Sequence, residues 1–347
     1  MNQTDNDVER SPYGVRVFAG IGITIMILFA VVGNLLVIFS YLRDKQLRIV
    51  MNVYLLNLAI ADFLIGIISM PLYAAYTIRE YWPFGKAFCK LFLVNDYTMC
   101  NETVLLTLLI SLDRLLLLKL GASYAVKETM KIAYIKIGIS WILAFCIYGP
   151  AIISWDLVRG YSLVEENDCD VEFFDNFEYA LITAICEFFT PCILLVVFNS
   201  IVYYEIKKRG KVVPNSQRPM NISAIHAQTT LSDKSTQQYE KSSTNPITAK
   251  RNLRAAKALG VLVVAFALCW GPFSIANILI AFCNDCVNFH LYEITTYLLW
   301  LKSSINPLLY AFNSVRFRNN FSQLISRICP CYRAKGKQAD MTDSQKL

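Results

Sequence analysis

Ionisable side chains stand inside otherwise apolar stretches at Asp62, Asp96, Glu102, Asp113, Arg114, Glu187 and Lys302. A charge near the centre of a bilayer costs about 2.5–3.5 kcal/mol, so such a residue must face protein or a water-filled cavity and needs a partner there. For Asp96 the fitting partner is a cation brought in by a ligand. The chemistry is ion pairing, not bond making. The sequence holds neither a metal-ligand cluster nor a nucleophile–base constellation, and its two histidines, His226 and His290, lie far apart. An enzyme, a metal centre and a cofactor therefore find no support. Asp96 and the Asp113–Arg114 pair lie on one stretch, Cys89–Lys119, separated by roughly 26 Å if helical. That helix reaches both faces of a bilayer, with Asp96 as a ligand anchor near one face and Asp113–Arg114 as a switch near the other. Asp62 needs a partner from another helix, and Glu102 reads as a polar contact with a neighbouring helix.

The elements that must carry these groups are seven apolar runs, at about 15–42, 51–77, 88–119, 131–154, 178–206, 255–283 and 291–313. Each meets or exceeds the roughly 20 residues that span a membrane as a helix. With 347 residues, 55% hydrophobic, and a mean hydropathy of +0.42, the chain reads as a polytopic all-α membrane protein. Residues 1–12 have no cleavable leader pattern, so the first span is its own insertion signal. Lys and Arg gather in alternate loops, which places those loops in the cytosol and residues 1–14 outside. The net charge of +7 comes from that asymmetry and suits anionic inner-leaflet lipid rather than nucleic acid. The segment from Asp156 to Glu178 carries eight acidic residues against Arg159 alone, which would draw cations toward the outer mouth. Outside, Asn2 begins a glycosylation sequon, and Cys89 can bridge to Cys169 and Cys283 to Cys286. Inside, Cys329 and Cys331 are palmitoylation candidates. Residues 207–250 form a polar third loop and 314–347 an amphipathic helix and tail, both expected to carry disordered, phosphorylatable stretches.

The motifs G-N at 33–34, L-N-L-A-I-A-D ending at Asp62, D-R at 113–114, Trp141, Pro191, C-W-G-P at 269–272 and N-P-L-L-Y at 306–310 occur in order. In this combination the chain resembles the rhodopsin-like (class A) G-protein-coupled receptors over about residues 13–330. The resemblance implies a seven-helix bundle with an outward pocket, a cytosolic cleft for a heterotrimeric G-protein and an eighth helix at Val315–Ile328. It also implies plasma-membrane location and encounters with arrestin and receptor kinases, and it makes Asp113, Arg114, Asn306, Pro307 and Tyr310 the activation switch.

Asp96, at its spacing from Cys89, is similar to the amine anchor of biogenic-amine receptors, and the local runs resemble the third and fourth histamine receptor subtypes. Glu187 then meets the distal N–H of a ligand with donors at both ends, as histamine has. Tyr97, Cys100, Thr183, Trp270, Phe273, Asn277 and Trp300 complete the expected wall. Another monoamine or acetylcholine is the alternative ligand, and a retinal photopigment or a transporter the remote one. Three departures from the family stand out. Leu115 replaces the aromatic residue after Arg114, and Asn252 stands where an acidic partner is usual, which together imply basal signalling, with the inhibitory G-protein class expected. Lys302 replaces the usual Asn beside Asp62, Thr103, Ser303 and Asn306, where it is expected to pair with Asp62 and displace a sodium ion.

Overall fold

Each apolar run becomes one long helix, because in a bilayer the backbone must satisfy its own hydrogen bonds. The structure is a computed structural model that describes residues 13–79, 81–173, 176–211, 246–283 and 286–328. Asn2, Cys329, Cys331, most of the third loop and the tail beyond 328 lie outside the described residues, as do the side chains of 246–259, Asn252 among them. Helix α1 spans Tyr13–Arg43. Helix α2 runs through Val50–Leu64, a π-helical turn Ile65–Ser69 and Met70–Arg79. Helix α3 is Gly85–Leu120 and α4 is Met130–Arg159. Helix α5 joins Phe177–Ala184, a second π turn Ile185–Phe189 and Thr190–Lys211. Helices α6, α7 and α8 cover Pro246–Phe282, Phe289–Asn313 and Val315–Ile328.

Polar residues mark the starts: the side chains of Thr129, Asn176 and Asn288 accept from backbone N–H groups in the first turns of α4, α5 and α7, as N-caps should. Among the described residues five stretches are apolar and long enough to cross a membrane, in α1, α2, α4, α5 and α6. Helices α3 and α7 are not among them. They carry Asp96, Glu102, Asp113 and Lys302, and the bundle buries them instead. Helix α3 packs against α2, α4 and α5, while α6 joins α5 to α7 and α1 closes the ring against α7 and α2. One close approach in that ring needs Gly33: a Cβ there would come within 2.9 Å of the Pro307 ring. Beside it, Asn34 donates to the Ala30 and Ser303 carbonyls at 2.8 and 3.1 Å, joining α1 to α7.

Helix α8 turns its apolar face, Phe317 and Phe321, into the same cluster as Tyr310. Arg316 Nε pairs with Asp44 at 2.7 Å, pinning α8 to the loop after α1. At the opposite end, disulfides join Cys89 to Cys169 and Cys283 to Cys286. The acidic loop is less unopposed than its own composition suggests. Asp156 pairs with Lys90 at 2.5 Å and Lys86 at 3.2 Å, and Glu172 with Lys86 at 3.3 Å. Those lysines belong to α3, so no count within the loop could include them.

Candidate functional site

One continuous apolar cluster contains Tyr97, Cys100, Trp270, Phe273 and Trp300, and it embeds both candidate anchors. Asp96 is buried on α3. Its Oδ1 accepts from Trp300 Nε1 at 3.1 Å and from Cys100 Sγ at 3.9 Å. Trp300 is thus more than an aromatic wall. Its indole is held edge-on to Tyr73 at 5.2 Å, which aims the N–H at the carboxylate.

Glu187 is also buried, within the π turn of α5. Its Oε2 accepts from Tyr148 Oη at 2.8 Å, and its Oε1 from Ser274 Oγ at 3.4 Å. Single-turn π bulges recur at functional sites because the extra residue re-aims the side chains around it. Among the described residues no cation pairs with either carboxylate. Thr183 is buried nearby, yet its hydroxyl donates to its own helix, to the Tyr179 and Ala180 carbonyls. Asn277 is buried with its Oδ1 unpartnered among the described residues, so that face of α6 retains an open acceptor.

Two rings connect the anchors. Tyr97, next to Asp96, lies 4.7 Å from Tyr148 between ring centroids, and Tyr148 reaches Glu187. Tyr148, Ser274 and Tyr73 escaped the sequence reading. Ser274 carried a usable signal, since Trp270, Ser274 and Asn277 fall on one helical face. Tyr148 carried none, being an aromatic residue in an apolar run.

Deeper in the bundle, Asp62 Oδ1 accepts from Ser303 Oγ and Oδ2 from Asn306 Nδ2, both at 2.7 Å. The expected Asp62–Lys302 pairing is not made. Lys302 Nζ instead donates to Thr103 Oγ1 at 3.0 Å and stands 5.5 Å from the Phe266 ring centroid. The reason is rotational: Ser303 and Asn306 already occupy both oxygens of Asp62, while Lys302 leaves α7 on the side of α3 and α6. Glu102 faces α4. Ser140 Oγ of α4 donates to its Oε1 at 2.8 Å, and its Oε2 has no partner among the described residues.

At the far end of α3, Asp113 accepts from Tyr124 Oη at 3.0 Å rather than pairing with Arg114. Tyr124 belongs to a short loop helix, Ala122–Lys127. Beside it, Glu128 accepts from Tyr54 at 2.9 Å and pairs with Lys136 at 2.7 Å. Tyr310 is buried with its hydroxyl unpartnered among the described residues, and Pro307 lies against the Gly33 position.

A bundle of long apolar helices that buries two carboxylates, Asp96 and Glu187, toward one end and holds a half-buried Arg114 near the other is the architecture of a membrane receptor. The family model for seven-transmembrane receptors of the rhodopsin family matches residues 33–310, and the chain belongs to that family. It is 31% identical to the human histamine H4 receptor, over 86% of this chain and 90% of that one. It is 29% identical to the D(1A) dopamine receptor of Xenopus laevis, covering 91% and 74%, and 28% identical to octopamine receptor beta-2R of Chilo suppressalis, covering 93% and 83%.

Proposed function

We propose that the protein is a receptor for a biogenic amine with donors at both ends, histamine best fitting that description, acting through heterotrimeric G-proteins of the inhibitory class. The observation that carries the reading is the pair of buried carboxylates on different helices, each held, among the described residues, by neutral donors. A buried anion without a cation is costly, and a ligand cation relieves that cost. Asp96 takes the ammonium, Trp300 and Tyr97 line it, and Glu187 takes the distal N–H. The names of the three relatives, receptors for histamine, dopamine and octopamine, support the amine class without choosing among its members.

In this reading the Cys89–Cys169 end faces outside and the Arg114 end faces the cytosol, following the placement of Lys and Arg. Arg114, not held by Asp113, supports appreciable basal signalling. Lys302 supplies a tethered cation near Asp62, which supports weak sodium modulation of agonist binding. The test is cAMP and calcium signalling by the wild type, Asp96→Asn and Glu187→Gln against a panel of amines including histamine. A histamine response abolished by the first change and weakened by the second is expected. A response to another amine that ignores Glu187 would keep the receptor class and overturn the ligand.

A further inference from the structure

Glu187 has two oxygens in unequal surroundings. Oε2 receives the Tyr148 hydroxyl at 2.8 Å, whereas Oε1 receives only the long Ser274 contact at 3.4 Å. An O–H donor to a carboxylate makes a bond roughly twice as strong as a neutral pair, and it fixes the acceptor's orientation. The Tyr148 ring has little freedom to leave. It is buried, stacked on Phe173 at 5.8 Å, tilted against Tyr97 at 4.7 Å and edge-on to Tyr179 at 6.3 Å. Tyr179 is itself anchored, donating its hydroxyl to the Ile147 carbonyl at 2.7 Å. Phe173 follows Cys169, whose disulfide ties that loop to α3.

We propose that Tyr148 is a positioning and specificity-determining residue: it holds Glu187 by Oε2 so that Oε1 is the oxygen presented to the distal N–H of a two-ended amine. The proposal rests on the two-anchor reading above. It adds a cause for selectivity. A one-ended amine uses Asp96 and is indifferent to Tyr148, whereas a two-ended amine depends on it, because a carboxylate free to turn in a π bulge does not wait at the ligand's far end.

The test is saturation binding of tritiated histamine, with displacement by phenethylamine, on membranes carrying the full-length wild type, Tyr148→Phe, Glu187→Gln and the double variant. Tyr148→Phe is expected to weaken histamine about 10-fold, the scale of one charge-assisted hydrogen bond, and phenethylamine less than about 2-fold. The double variant is expected to bind histamine no more weakly than Glu187→Gln alone, since a residue acting through another adds nothing once that partner is neutral. Multiplying losses in the double variant, equal loss of both amines in Tyr148→Phe, or unchanged histamine affinity there overturns the proposal. A wild type that binds no histamine, or a Glu187→Gln variant of unchanged affinity, overturns the two-anchor reading itself and this proposal with it. Loss in Glu187→Gln without loss in Tyr148→Phe overturns only the role of Tyr148.

Discussion

Asp96 and Asp62 are the same residue type, both buried, on neighbouring helices α3 and α2, yet the bundle treats them differently. Asp62 has each oxygen filled at 2.7 Å by α7, with the Lys302 ammonium in the same polar cluster. Asp96 has two donors converging on one oxygen, at 3.1 and 3.9 Å, and no cation among the described residues. Burial alone therefore does not separate a structural carboxylate from a binding one. What separates them is whether the protein has already supplied the countercharge. Glu102 is a third case. Among the described residues it has one good donor, one unpartnered oxygen and no cation, but it faces α4 rather than the cluster around Asp96.

The largest effect expected from this contrast is at Asp96. Asp96→Asn should weaken the amine response by more than about 100-fold, because removing one member of a buried pair strands the other; a concentration–response curve checks it, and an unshifted curve would erase the contrast. Next is Lys302→Met, which leaves Asp62 without a nearby cation. It should lower stability and confer sodium dependence on agonist affinity, read by thermal unfolding in detergent and by binding in sodium against a bulky organic cation. The double variant Asp62→Asn with Lys302→Met should recover most of that stability. Failure to recover would mean that Lys302 matters through Thr103 and Phe266 instead.

Glu102→Gln should be smaller. The amide oxygen can keep the Ser140 bond, while the amide N–H group replaces an oxygen with no partner among the described residues, so stability should fall by about 1 kcal/mol, with ligand affinity unchanged. The last effect is one of pH and is expected in the acidic loop. Part of Asp170 reaches solvent, yet it is closely ringed by protein, and burial pushes its carboxyl up to about 8, with repulsion from Asp168 and Glu172 added. A raised folded value means that the neutral form is the stable one, so its contribution is present at low pH and lost as pH rises from about 4 toward 8. Asp170→Asn should flatten the pH dependence of the unfolding temperature across that window and leave it unchanged below it.

The helices were legible because a spanning helix needs only a long apolar run, which a linear reading can count. The observed bounds of α4 and α7, Met130–Arg159 and Phe289–Asn313, stand close to the runs read as 131–154 and 291–313. The π turns at Ile65–Ser69 and Ile185–Phe189 were not legible. Each is one extra residue in a turn, selected by packing against neighbours rather than by any local residue type. Asp96 and Glu187 were visible as charges in apolar surroundings. Their donors Trp300, Tyr148 and Ser274 come from α7, α4 and α6, and which of many aromatic and hydroxyl residues reach a carboxylate depends on helix rotation.

Lys302 shows the boundary most clearly. Its type and position already said that a cation enters the buried cluster near Asp62, since an ammonium at that depth must be offset by an anion or by polar groups of the bundle. The choice of Thr103 and Phe266 as its neighbours was made elsewhere. It follows from the angle at which α7 meets α2, α3 and α6, and that angle is set by close contacts such as Gly33 against Pro307. The sequence by itself determined the number of spanning helices, the kind of charges they bury and the family motifs they carry, because these depend on residue type and spacing along one dimension. Only the tertiary structure decided which carboxylate already has its partners and which is left for a ligand, because pairing within a few ångströms is a property of several helices at once.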